Sequence, residues 1–411
     1  MTAMHECKPA KWSGPTSRKF SAWCCRVAHA PVSALLVGVV LSMVICAAAD
    51  QEELGARVRH AQQLQAQGHY AQATRVYEDL VRRDPRSPAL LNDLGVLYVR
   101  MGKYPEAIDA YRKALEFDPG SVPLLVNLGL AYFKSGDCRG AIVPFTKAEK
   151  ADPQNSRVRT LLAMSHYGAG DYGEASRRFE ALVAVEPSNG TLQYLLAQSY
   201  LWSGQYQKVI QTFDRLLRHQ PDSAAAHMLL GEAYDGLDRT DQAIEEFRAA
   251  AQVAPRYPNV HFGLGYLYWK KRHFDKAKEA FEQEIQNGGL AVQAKAYLGD
   301  IAVRRKQWDE ALPLLREALR LDPKLRIAHL GLGIVYLEHK RYGQAVTELQ
   351  QAVRLDPQRA DGYYRLAAAY RAMGREDEAQ AALAKMDKLQ TKKREDLLHK
   401  ISGPPPAPKL D

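Results

Sequence analysis

From Leu54 onward apolar and small side chains return to the same places every 34 residues. With position 1 at residue 54, the second unit carries Leu91, Leu94, Gly95 and Tyr98 at positions 4, 7, 8 and 11. That i, i+3, i+4, i+7 spacing is one apolar face of a helix. Ala107, Tyr111 and Ala114, at positions 20, 24 and 27, give a second helix its face. Position 15 holds glycine in six units (Gly68, Gly102, Gly136, Gly170, Gly204, Gly374), where a tight turn must leave the first helix through a left-handed residue. Prolines 85, 119, 153, 187, 221, 255, 323 and 357 then stop the second helix, because proline has no N–H and its ring clashes with the preceding turn. Position 8 takes only small residues: Gly95, Gly129, Gly231, Gly265, Gly299, Gly333, Ala163, Ala197 and Ala367. A period this regular predicts an all-α chain of ten stacked helix pairs over 54–387, growing in one dimension without a single central core.

Local chemistry agrees with that register. Ser87, Ser121, Asn155, Asn189 and Ser223 all fall at position 34, where an oxygen is wanted to cap the next first helix. From the seventh unit that position holds Tyr257, Ala291, Leu325 and Arg359, which predicts looser joints. The proline rung skipped at Gly289 sits in Asn287-Gly288-Gly289, read either as a glycine C-cap or as a bend between units seven and eight. Pro144 is expected to kink the third unit's second helix or delay its start. Residues 388–402 keep enough apolar periodicity for a terminal capping helix, and 403–411, SGPPPAPKLD from Ser402, form a proline-rich tail expected to be disordered.

The pattern resembles the tetratricopeptide repeat (TPR) family, above all in LLNDLGVLYVRMGKYPEAIDAYRKALEFDP and HLGLGIVYLEHKRYGQAVTELQQAVRLDP. The resemblance implies a right-handed superhelical solenoid whose first helices line a concave face, with positions 2, 5, 9, 12 and 13 pointing into it. Those positions put Phe133, Met164 and Tyr167 in the groove, followed by Tyr194, Gln198, Leu201 and Trp202. Met228, Phe262, Tyr266 and Trp269 continue it. Rings and methionines on such a face suit an extended or helical peptide of a partner. Members of the family that clamp acidic C-terminal peptides use lysine, asparagine and arginine at these rungs, whereas the residues here are mostly apolar. The family's nucleotide-sugar transferases carry a ladder of asparagines at position 6, matched only by Asn127.

Composition narrows the partner class. The chain has 56 Lys and Arg against 47 Asp and Glu, a formal charge of +9, of which residues 1–49 contribute +4. The rest is spread thinly, without the basic face of a nucleic-acid binder. Four of the five cysteines (Cys7, Cys24, Cys25, Cys46) lie before the repeats, leaving Cys138 alone among them and no disulfide framework. Residues 30–49, APVSALLVGVVLSMVICAAA, are an uncharged apolar run preceded by five basic residues and followed by Asp50, Glu52 and Glu53. This pattern reads as a signal peptide or an N-terminal membrane anchor that leaves the repeats outside the cytoplasm.

No catalytic constellation emerges. Gly263-Leu264-Gly265 and Gly331-Leu332-Gly333 lie within first helices and follow no strand, so they are packing glycines and not a dinucleotide site. His227, His261 and His329 share position 4, but equivalent residues of neighbouring helices stand about 8–10 Å apart and do not converge on one ion. No metal, cofactor, small-molecule substrate or nucleic acid is expected. The resemblance implies a non-enzymatic scaffold that binds protein segments outside the cytoplasm, at or near a membrane. The alternative is an assembly chaperone or a substrate-presenting subunit of an envelope enzyme complex, such as one for glycan synthesis or secretion.

Overall fold

The computed structural model describes residues 51–219 and 223–402, which form twenty α-helices and no strand among them. The signal or anchor expected at 1–49 and the proline-rich tail at 403–411 lie outside the described residues. Ten first helices alternate with ten second helices. In the N-terminal body, which ends at Ala169, α1 covers 51–66 and is followed by α2 (Tyr70–Arg83), α3 (Pro88–Arg100), α4 (Tyr104–Phe117), α5 (Val122–Lys134), α6 (Cys138–Ala151) and α7 (Ser156–Gly168). The C-terminal body begins at Gly170 and contains α8 (Tyr172–Val185), α9 (Gly190–Trp202), α10 (Tyr206–His219), α11 (Ala224–Gly236) and α12 (Thr240–Val253). It continues through α13 (Val260–Lys270), α14 (Phe274–Asn287), α15 (Ala291–Arg304), α16 (Trp308–Leu321), α17 (Arg326–Glu338), α18 (Tyr342–Leu355), α19 (Ala360–Ala372) and α20 (Glu376–Ser402). The last helix runs through residue 387 without a break, so 388–402 prolong the tenth unit's second helix.

Every turn between paired helices contains a left-handed residue at position 15. Glycine supplies it six times, with φ between 72° and 87°, and Asp238, Arg272, Lys306 and Lys340 supply it at φ of 58–60°. The geometry of the turn is therefore retained even where the glycine is not.

The small rung at position 8 admits the large side chain at position 24, a ring in most units and leucine in units eight and nine. A Cβ on Gly95 would stand 2.6 Å from the Tyr111 ring, and one on Gly129 would stand 2.6 Å from Phe145. The partner of Gly95 is therefore Tyr111 at position 24. Position 6 extends the device to the next unit. Phe247 has Gly231 of its own unit on one side and Gly263 of the following unit on the other, with hypothetical Cβ distances of 2.6 and 2.2 Å. Leu315 sits likewise between Gly299 and Gly331. Tyr77, Tyr111, Phe145, Phe179, Phe213 and Phe281 are the largest fully buried side chains, and all six lie on second helices. The tyrosine at position 11 joins successive units through its hydroxyl: Tyr98 donates to Glu78 at 2.9 Å, Arg316 donates to Tyr336 at 3.1 Å, and Gln350 donates to Tyr370 at 2.9 Å.

Four of the five expected caps form. Ser87, Asn155, Asn189 and Ser223 accept from the backbone N–H three residues on, at 3.2–3.4 Å. Ser121 makes no such bond: Pro123 removes one first-turn donor, and the hydroxyl does not accept from the next. Pro144 does not delay α6, which keeps the fourteen residues usual for second helices. At that depth in the helix its missing N–H forfeits one intrahelical bond, and its ring is buried among Ala141, Phe145 and Ala148 of the same helix face.

Units seven and eight use a different cap. Gly288, at φ 76°, ends α14 as a left-handed C-cap. Glu284, 1% exposed, turns its carboxylate under the following chain, accepting from Leu290 N–H at 2.8 Å and from Phe262 N–H at 3.1 Å. One buried carboxylate thus serves the starts of α13 and α15, neither of which has a side-chain cap of its own. Gly289 admits it, since a Cβ there would lie 2.0 Å from a Glu284 oxygen. A proline or any side chain at that rung would displace the carboxylate.

Candidate functional site

The most elaborate surface feature lies on the first helices α13, α15, α17 and α19. Phe262, Tyr266 and Trp269 occupy one face of α13, and Tyr297 of α15 meets all three. Its ring centroid is 5.7 Å from Phe262, 6.0 Å from Tyr266 and 5.1 Å from Trp269, each edge-to-face, and it stacks at 5.2 Å on buried Phe281. Edge-to-face pairs set the positive rim of one ring on the negative face of another and hold their geometry. The cluster lines a cavity of about 550 Å³, together with the half-buried Leu325 and Ile327 and the edge of core Leu330.

Charge fixes the cluster from behind. Asp300, 3% exposed, accepts from Trp269 Nε1–H at 2.7 Å and from Arg304 Nε–H at 2.5 Å, and the Arg304 guanidinium lies 5.0 Å over the Trp269 ring. The tryptophan is thereby held at both its polar edge and its face, with the buried acid fully compensated. Burial, with the Tyr266 hydroxyl and the Asp300 carboxylate adding to it, pushes the Tyr297 phenol up to about 12, so the hydroxyl stays protonated and able to donate. Lys270 bonds Asp235 at 2.8 Å and Asp238 at 3.2 Å, and the Asp235 hydrogen bond raises its pKa.

The other groove candidates do not join this cluster. Trp202 is 59% exposed and stacks on Tyr172 at 6.1 Å. Leu201 is only 7% exposed and belongs to the core, so it lines no open face. Tyr194, Gln198 and Met228 are half-buried, as are Phe133, Met164 and Tyr167 in the N-terminal body. Phe133 packs against the core there, and Met228 does so in the C-terminal body. Sequence reasoning missed Tyr297, Asp300, Arg304 and Arg326. Tyr297 stands at position 6, outside the rungs read as inward-facing. A bulky ring where the flanking units carry Gly263 and Gly331 was the available signal.

The N-terminal body offers a polar surface instead. Asn127 donates to Asn92 at 2.8 Å and Tyr77 donates to Asp93 at 3.1 Å, beside a cavity of about 410 Å³. Burial first, and then Asp93, raise the Tyr77 phenol pKa, while burial also raises that of Asp93. Two of the three position-4 histidines pair with a glutamate, His227 Nδ1 at 2.7 Å from Glu246 and His329 Nδ1 at 2.6 Å from Glu348, whereas His261 Nε2 lies 2.8 Å from the Pro255 carbonyl. Among the described residues no three His, Cys, Asp or Glu gather to hold a metal ion, and no helix is long and apolar enough to cross a membrane.

Comparison with known proteins agrees with the repeating helix pairs. Tetratricopeptide repeat models match residues 58–122, 99–165, 166–233, 224–257, 262–325, 302–352 and 360–392, and a TPR repeat model matches 335–374. No curated protein matches the chain. Among solved structures, the Cut9–Hcn1 hetero-tetramer of the APC/C is similar at 15% identity over 80% of this chain and 86% of that one, with a TM-score of 0.45. Yeast Tom70 is similar at 16% identity over 86% and 100%, with a TM-score of 0.38. MamA from Desulfovibrio magneticus RS-1 is similar at 21% over 41% and 94%, with a TM-score of 0.37. On the repeat models and the helix pairs they describe, the chain belongs to the tetratricopeptide repeat family.

Proposed function

We propose that the protein is a non-enzymatic scaffold that holds a segment of a partner protein on the face formed by its first helices, outside the cytoplasm. The repeat fold supports a protein-interaction role. The observation that carries the finer reading is the aromatic wall of Phe262, Tyr266, Trp269 and Tyr297, open to a cavity and braced by a buried Asp300. Rings fixed in advance lose little freedom when a peptide covers them, so their burial converts efficiently into affinity. The apolar run at residues 30–49 supports export or anchoring.

The test is co-purification from native membranes and soluble extract, comparing the full chain with its Tyr266→Ala variant and with a Tyr342→Ala variant on a second helix. Partners lost with the first and kept with the second support the reading. A partner set unchanged by Tyr266→Ala removes it. Reporter fusions after residue 60 test the location, and activity of a cytoplasm-restricted reporter there overturns it.

A further inference from the structure

The cavity beside the aromatic wall is lined by Arg304, Arg326 and Arg359 with the carboxylates Asp300 and Asp361, and by Lys270, which Asp235 and Asp238 already neutralise. Both carboxylates are already engaged. Asp300 is taken by Trp269 and Arg304, and Asp361 is shared between Arg326 and Arg359. The sharing is unequal. Arg326 holds Asp361 closely, yet its own Nε–H is buried with no acceptor. Arg359 reaches the same acid only at 3.9 Å, with 55% of its side chain exposed, and among the described residues this is its one ion pair. Two guanidinium groups thus lean on a single carboxylate, and one positive charge is left over at the rim. Beside it lie the half-buried Leu325 and Ile327, which line the same cavity.

We infer that the partner segment filling this cavity carries an acidic side chain, aspartate or glutamate, next to an apolar one. The carboxylate pairs with Arg359, and the apolar side chain lies on Leu325 and Ile327. A guanidinium offers a carboxylate two parallel donors, a match that an amide or hydroxyl meets less well. A cationic segment would be repelled by Arg359, whose acid, Asp361, is already shared with Arg326. This inference rests on reading the first-helix face as the peptide site. The arginines involved, Arg359, Arg326 and Arg304, stand at positions 34 and 1 of unit nine and position 13 of unit eight, and the acid recognised is a side chain within a segment.

The test uses the full chain and labelled synthetic peptide pools with randomised flanks and a fixed centre, Leu-Phe-Asp-Leu, Leu-Phe-Asn-Leu or Leu-Phe-Lys-Leu, read by fluorescence anisotropy. The Asp pool binds about fivefold more tightly than the Asn pool, the scale of one solvent-exposed ion pair. The advantage shrinks with added salt and vanishes in Arg359→Ala, an exposed substitution that leaves the fold intact by circular dichroism. Tyr266→Ala weakens both pools alike. Equal binding of the Asp and Asn pools, a preference for Lys, an Asp preference that survives Arg359→Ala, or no binding of any pool overturns the inference. Equal binding that still falls with Tyr266→Ala removes the acidic preference and leaves the peptide face standing. Binding indifferent to Tyr266→Ala removes the face as well.

Discussion

At the scale of single residues, the turns between paired helices place a backbone requirement on whichever side chain occupies them. Arg272, Lys306 and Lys340 adopt the left-handed conformation that glycine provides at the same place in six other units. A side chain there costs about 1–2 kcal/mol through its Cβ, while glycine gives back about 0.5–1 through the freer unfolded chain. Lys306→Gly is therefore expected to stabilise the protein by about 0.5–1 kcal/mol, read as a rise in the denaturant midpoint without a change in slope. The converse holds at the small rung. Gly129→Ala drives a methyl to 2.6 Å from the buried Phe145 ring and is expected to cost about 1–3 kcal/mol. Stability unchanged by Gly129→Ala would mean that the ring can retreat.

At the scale of elements, the joint between units seven and eight rests on one carboxylate. Glu284→Gln keeps the size and replaces an accepting oxygen with a donor, so that Leu290 or Phe262 loses its partner. The expected cost is about 1–3 kcal/mol, measurable by urea unfolding. Hydrogen exchange at both amides should rise together, and slow exchange retained at either one would refute the shared cap. The histidine at the start of α17 responds to pH. Burial of His329 opposes its charge, but the Glu348 hydrogen bond, the Pro323 carbonyl and the Glu348 charge outweigh it, so its pKa is raised above 6.5. A raised folded pKa means that the stabilisation is complete below the unfolded value and fades as pH climbs through the folded one. The stability lost in His329→Gln should thus be larger at pH 6 than at pH 9, and NMR titration of the ring should show the raised midpoint. The helix pairs, their turns and four of five caps were legible because each depends on residues a few places apart. The Glu284 cap was not, because the donors it serves lie 22 residues before it and 6 after, on other elements. Tyr297 escaped for a related reason: its place in the site depends on its neighbours' glycines more than on its own helical face.

At the scale of the whole chain, a repeat array has no single cooperative core. Its stability is close to a sum of unit and interface contributions. Damage should therefore stay local. Gly333→Ala, which would press on Leu349 at 2.5 Å, is expected to speed amide exchange in α17 to α19 while leaving α2 to α5 protected. Equal loss of protection in both stretches would show one cooperative unit. Surface chemistry differs between the two bodies. The first helices of the N-terminal body present amides and carboxylates such as Asn92, Asp93 and Asn127, whereas α13 to α19 present rings and cations.

The placement of Phe247 between Gly231 and Gly263 reaches beyond packing. The second helices that carry Phe247 and Leu315 are fitted half to their own partner and half to the unit that comes next, so these copies are not interchangeable bricks. Shuffling them would set bulky side chains against bulky side chains: a chain in which unit eight, with Tyr297 at the sixth place, directly followed unit six would lose the hollow that Gly263 leaves for Phe247. The order of the units is thus written into the fold by shape alone, and new copies can be inherited only together with the neighbours they were cut to fit.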